Sequence, residues 1–153
     1  MTAKASARPR AEVHVQYASR DAWLPSRSQV RRWARAALLH DAEVTVRFVD
    51  EAEGRTLNAQ FRGKNHPTNV LSFSYAQVPR IAGDLVLCVP VVQREAIGQG
   101  KAVEAHFAHL IVHGMLHLQG YNHDNESDAF IMEARECMIL AGLGFSDPYA
   151  SER

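Results

Sequence analysis

Apolar and polar residues alternate strictly in two stretches: Val13, Val15, Tyr17, and then Val44, Val46, Phe48 interleaved with Glu43, Thr45 and Arg47. Successive strand side chains point to opposite faces, so a period of two predicts half-buried strands. Between these stretches the period lengthens. Val30, Trp33, Ala34, Ala37 and Leu38 fall on one stripe, which predicts an amphipathic helix from about Arg27 to His40. Ser26 and Gln29 stand three apart at its start, the spacing of a capping box. Asp50 and Glu53 repeat that spacing and predict a second box, opening a short helix through Phe61. Val70 to Tyr75 and Asp84 to Val89 read as further strands, joined by a loop containing Pro79 and Gly83. The second is nearly all apolar, as a strand central in its sheet would be. A helix from Val103 to Gln119 and a closing helix from Ser127 to Ala141, stopped at Gly142, complete the series. No internal repeat, low-complexity tract or domain linker interrupts it. The mixed order predicts an α+β fold, a single domain with an about four-stranded mixed sheet and helices packed on it. That domain is expected to occupy residues 12–150, with residues 1–11 as a flexible N-terminal tail.

Composition narrows the class. A chain of 153 residues with 46% hydrophobic and 22% charged content is ordinary for one globular domain. Mean hydropathy is −0.24, and no apolar run approaches the ~20 residues of a membrane span. Cys88 and Cys137 stand in no paired metal spacing. They read as free thiols in a reducing cytoplasm. Net charge is zero but unevenly spread: residues 1–40 carry a balance of +6 and residues 41–153 a balance of −6. The basic excess gathers on Arg27, Arg31, Arg32 and Arg35, which fit either phosphate contact or an ordinary solvated helix face.

The most specific pattern is His113-x-x-x-His117-x-x-Gly120-x-x-His123. Three neutral imidazoles suit a catalytic zinc ion, which takes three protein ligands and keeps one open position. Nickel, copper or cobalt would accept the same donors. His113 and His117, four residues apart, share one face of a helix. A continuing helix would carry His123 away, and Gly120 accepts the left-handed conformation that turns the chain back. Zinc peptidases with this spacing carry a glutamate general base directly after the first histidine; here that residue is Gly114. The pattern therefore predicts a hydrolase for another bond. His106 and His109 precede His113 on the same helical face. His109 is a candidate outer partner to the metal ligands or a substrate contact.

The stretch His113-Gly114-Met115-Leu116-His117-Leu118-Gln119-Gly120-Tyr121-Asn122-His123 closely resembles the signature of the bacterial YbeY-type rRNA maturation factors. Similar pieces occur at Leu57-Asn58, Phe61-Arg62, Pro67 to Phe73, Gly83 to Leu87 and Gly144 to Tyr149. The likeness runs from about Val44 to Tyr149. Two departures are Asn69 and Asn122, where the family usually has aspartate. Both remove a negative charge and leave the three histidines untouched.

The resemblance implies a zinc-dependent endoribonuclease acting on single strands, in small-subunit rRNA 3′-end maturation and ribosome quality control. It also implies ribosomal RNA, ribosomal proteins and an assembly GTPase as partners, and no membrane. Arg62 becomes a candidate catalytic residue, its fork matched to two phosphate oxygens, although spacing alone favours a helix C-terminal cap. Lys64 and His66 are candidate helpers. Two other readings share the motif: a zinc-metallopeptidase-like hydrolase, and a non-enzymatic ribosome-assembly factor with a structural metal.

Overall fold

The computed structural model describes residues 8–150, in the order β1 (Ala11–Ala18), α1 (Arg27–Ala36), β2 (Ala42–Val49), α2 (Glu51–Arg62), β3 (Val70–Ala76), β4 (Ile81–Cys88), α3 (Val89–Gln99), α4 (Val103–Leu118) and α5 (Glu126–Gly142). The four strands form one mixed sheet ordered β1-β2-β4-β3. β1, β2 and β4 run parallel and β3 lies antiparallel against β4. The α+β expectation holds. β4 pairs on both sides, as its apolar run predicts. Most of the proposed tail, residues 1–7, lies outside the described residues, and Ala11 already belongs to β1.

The inward residues of the alternating strands make the main core. Val13, Val15, Val44, Val46 and Phe48 pack with Leu85 and Leu87 under α1 and α4. The opposite sheet face is only half covered. There α2 packs over a smaller cluster of Val49, Leu71, Val86 and Cys88.

Several boundaries differ from expectation for visible reasons. The capping box of α1 forms, Gln29 N–H donating to Ser26 Oγ and Ser26 N–H to Gln29 Oε1. Yet α1 ends before Leu39 and His40, because both of their amides donate to Gln119 Oε1, at 2.7 and 3.2 Å. The second predicted box does not form. Asp50 instead accepts from the Ser19 hydroxyl and the Arg20 amide, and Glu53 takes the Arg47 guanidinium at 2.7 Å. Helix α3 went unpredicted because its β-branched start, Val89-Pro90-Val91-Val92, prolongs the apolar run of β4. Pro90 sits in its first turn, where a missing N–H costs nothing. α5 ends on Gly142 itself, and the turn glycine is Gly144, with φ +93°.

Gly83 lies within β4, not in a loop. A Cβ there would stand 2.6 Å from the Phe73 carbonyl oxygen and 2.8 Å from Leu118 Cδ2. The oxygen belongs to a paired strand and cannot yield. Gly83→Ala is therefore expected to destabilise the fold by about 1–3 kcal/mol, read as a lower denaturation midpoint at unchanged m-value. Wild-type stability in that variant would show that β3 and β4 separate freely here.

Candidate active site

Helix α4 carries the site because one side of it is pinned to the sheet. Phe107, Ile111, Met115, Leu116 and Leu118 are fully buried. Gly114 lies so close to β4 that a Cβ would stand 2.7 Å from Leu85 Cδ2. Position 114 thus faces the sheet core, and a glutamate there would have to displace Leu85 before approaching the histidines.

The end of α4 is a Schellman turn. Gly120 N–H donates to the His117 carbonyl and Tyr121 N–H to the Leu116 carbonyl, each at 3.1 Å. Gly120 has φ +106°, a region that favours glycine. This turn returns His123 to the helix. Its ring centroid lies 5.4 Å from that of His113 and 6.4 Å from that of His117. Imidazoles sharing one tetrahedral ion at about 2.0–2.1 Å place their centroids roughly 5 Å apart. One side of the triangle meets this and the other is wider by about an ångström. His117 and His123 are exposed, so side-chain rotation can close that gap.

Hydrogen bonds fix which nitrogens face the centre. His117 Nδ1 lies 3.2 Å from the Tyr121 carbonyl, an acceptor only, so Nδ1 carries the proton and Nε2 holds a lone pair. Partial burial lowers the pKa of His117, helped by the charges of His113, His123 and Arg62. His113 Nδ1 lies 2.6 Å from Glu136 Oε2. Metal-binding histidines commonly take this form, the outer nitrogen held by a carboxylate or carbonyl.

Glu136 belongs to this site although nothing in its sequence context marks it. It is fully buried on α5 and accepts from His113, from His109 Nε2 at 2.8 Å, and from the Tyr149 hydroxyl. Burial alone would raise its pKa, but the bonds from His109, His113 and Tyr149 outweigh this and hold it at about 2. Tyr149 is pushed up by its own burial and by the neighbouring carboxylate. His109 is thus a buried partner of Glu136 that also lines the cleft. His106, also buried, lies 2.9 Å from Glu95 Oε1, and Glu95 accepts from the Asn69 amide at 3.0 Å. Asn69 thus makes a donation that aspartate has no N–H to make.

A cleft of about 410 Å³ opens beside these residues, lined by His113, His123, Asn69, Glu133, Glu136 and Tyr149 among others. Glu133 is half-buried on α5 and, among the described residues, has no ion-pair partner. Neither acid could be singled out in the sequence, because both sit in an unremarkable helix. Arg62 occupies the last turn of α2 before Gly63, whose φ is +67°. It is near enough to His117 for its charge to lower that ring's pKa. Asn58 ties the following loop down by donating to the His66 carbonyl at 2.6 Å. Lys64 and His66 are exposed on that loop, and His66 Nδ1 lies 3.2 Å from the Pro67 carbonyl.

Two charged clusters lie elsewhere. Glu12, His14 and Glu43 on β1 and β2 bring their ligand atoms within 4.8 Å of one another, a tighter set than the three histidines. They are solvent-facing, however, and Arg80 already pairs with both carboxylates, at 4.0 and 2.7 Å. The basic helix α1 is partly committed too. Arg27 and Arg31 donate to the Val15 and Val13 carbonyls on the open edge of β1, leaving Arg32 and Arg35 as its uncommitted cations.

Comparison with known proteins agrees with this layout. A family model described as endoribonuclease YbeY matches residues 16–144. The chain is 62% identical over 126 residues to an endoribonuclease YbeY of Aromatoleum aromaticum, covering 82% of each chain. It is 51% identical to one of Methylobacillus flagellatus, covering 95% of this chain and 97% of the relative. A solution structure from Thermotoga maritima shares the fold, with a TM-score of 0.57 at 22% identity over 90% of this chain and 98% of that one. The chain belongs to the endoribonuclease YbeY family.

Proposed function

We propose that this chain is a metal-dependent endoribonuclease acting on single-stranded RNA, with one zinc ion held by His113, His117 and His123. The observation that carries the reading is that His113 and His117 have their outer nitrogens engaged while Gly120 brings a third ring to their face. The donor set fits zinc: three imidazoles, with open cleft beside them rather than a fourth side chain closing the site. The bound ion would supply a Lewis acid and acidify a water.

The chain's own residues do the rest. Arg62 holds two oxygens of the scissile phosphate, where negative charge grows during displacement. Glu133, a carboxylate in the cleft without an ion pair, takes the proton of the attacking hydroxyl and fills the role that Gly114 leaves open. Glu136, its lone pairs occupied by three donors, positions His113 and does not itself exchange protons. Small-subunit rRNA as substrate, its 3′-end maturation and ribosome quality control follow from the family resemblance. A domain spanning 12–150 and a cytoplasmic setting, read from the chain's patterning and its cysteine usage, complete the proposal; no helix among the described residues is long and apolar enough to cross a membrane.

Elemental analysis paired with cleavage of single-stranded RNA tests the assignment. His117→Ala should lose both metal and activity. Arg62→Ala should keep metal and lose about 10²-fold in rate, the effect of removing one preorganised cation or donor. Full activity in metal-free protein would overturn the reading. Products ending in a 2′,3′-cyclic phosphate would identify the ribose hydroxyl as nucleophile, and 3′-hydroxyl or open phosphate ends would identify water.

Glu133→Gln should keep its metal while the rate falls about 10²–10⁴-fold. An unchanged rate with metal retained would remove Glu133 as the base.

Glu136→Ala should weaken metal binding about 10–100-fold in chelator competition. It strands buried donors on His109, His113 and Tyr149, so stability should fall by roughly 3 kcal/mol, about 6–12 °C in Tm for a chain of this size. Unaltered metal affinity would make Glu136 merely structural.

A further inference from the structure

On the sheet face away from α4, α2 covers only part of the surface. The small core cluster beneath it reaches Leu71 and Val86, with Phe73 packed at its margin. Beyond that margin the aromatic residues are open to solvent: Phe61 is 56% and Tyr75 66% exposed. Phe61 and Phe73 meet edge to face, centroids 5.1 Å apart at 70°. Together with Ser72, Ser74, Asp84 and Arg47 they line a groove of about 550 Å³, within the usual size of a ligand site.

The groove's charges are already satisfied from within. Arg47 is held by both Glu53 oxygens, at 2.7 and 3.1 Å, and donates to Gln16 at 3.0 Å. Asp84 accepts the Tyr75 hydroxyl at 2.6 Å. What the groove offers a ligand is aromatic faces, with Arg62 the residue that follows Phe61 at the end of α2.

That neighbour decides the occupant. Consecutive Cα atoms are 3.8 Å apart, and consecutive helical side chains diverge in direction. Phe61 faces Phe73, while Arg62 is the residue assigned above to the scissile phosphate. β3 spans both places, since Val70 lines the metal cleft and Ser72 to Tyr75 line the groove. Val70 packs toward the main core and Phe73 toward the smaller cluster on the opposite face, so the path from cleft to groove runs roughly 10 Å along β3 and about as far again over its open edge, a span of about six stacked nucleotides at roughly 3.4 Å each. A single strand leaving the cleft around this edge brings a base to the groove. We propose that Phe61, Phe73 and Tyr75 form a stacking subsite for an unpaired nucleobase of the substrate, within about six nucleotides of the scissile bond. Such platforms bind single strands because every base presents a π face. The proposal rests on the endoribonuclease reading and extends it to how single strands are selected.

The test is kcat/KM for a short single-stranded RNA of mapped cleavage position, scanned with single abasic substitutions. Wild type, Arg62→Ala, Phe61→Leu and the double variant Phe61→Ala/Tyr75→Ala are compared, each first matched to wild type in Tm. Phe61→Leu keeps apolar bulk and removes the π face, so it separates stacking from packing. Wild type should lose roughly 5–150-fold at one abasic position within about six nucleotides of the cut, the range of one base-aromatic stack. The aromatic variants should show that loss on intact RNA, mainly in KM, and no further loss on the abasic strand. Wild-type rates in the double variant, or losses that simply multiply, would overturn the subsite. If Arg62→Ala fails while the aromatic variants cleave normally, the nuclease reading stands and the stacking proposal falls. RNA left intact by the metal-loaded wild type would end both.

Discussion

The site depends on one buried carboxylate. Glu136 sits on α5 but serves α4: it is held against His113 and His109, two residues one helical turn apart, and against Tyr149 near the C-terminus. An ionised group with no exposed surface is costly unless every lone pair is answered, and here three donors converge on it. The same bonds lock α5 and the C-terminal segment to the ligand-bearing helix. Orientation of His113 is thereby coupled to the packing of the fold, so the first imidazole has little freedom left to lose when it meets a ligand.

The other two histidines of the proposed ligand set are placed by backbone geometry instead. The Schellman turn at Gly120 exposes the Tyr121 carbonyl to His117 Nδ1 and redirects the chain toward His123 in the same few residues. Gln119 between them donates to the Ala37 carbonyl and accepts from Leu39 and His40, anchoring the turn to the end of α1. This explains why α1 stops short of its amphipathic pattern. The pattern speaks only of which face is buried, while the local donors at Leu39 and His40 are claimed by a side chain about 80 residues away in the chain.

What was legible from sequence follows the same division. Periodicity located all four strands and four of the five helices, because burial of one face is a local signal. The three histidines and Gly120 were legible because their spacing is local too. Glu136, Glu133 and the aromatic groove were not, since each acquires meaning only when α5 or β3 is brought against another element. The Asp50–Glu53 spacing misled for the complementary reason. A capping box competes with any stronger partner, and Ser19, Arg20 and Arg47 supplied them. Gly83 misled likewise. Glycine in a turn-rich stretch suggests a loop, but here it admits Leu118 and the Phe73 carbonyl against a paired strand.

The two open edges of the sheet explain why substrate would approach from one side only. β1 presents its carbonyls outward, and Arg27 and Arg31 cover them, which blunts that edge against pairing and uses cations otherwise suited to phosphate. β3, the other edge, contributes Val70 to the histidine cleft and Ser72 to Tyr75 to the aromatic groove. Gly114 bears on the proposed chemistry from this side. A side chain at that position would meet Leu85 rather than the cleft, so in the proposed mechanism the base comes from α5, where Glu133 lines the cleft. A base set back in this way would leave room over the histidines for a phosphodiester and its flanking sugars.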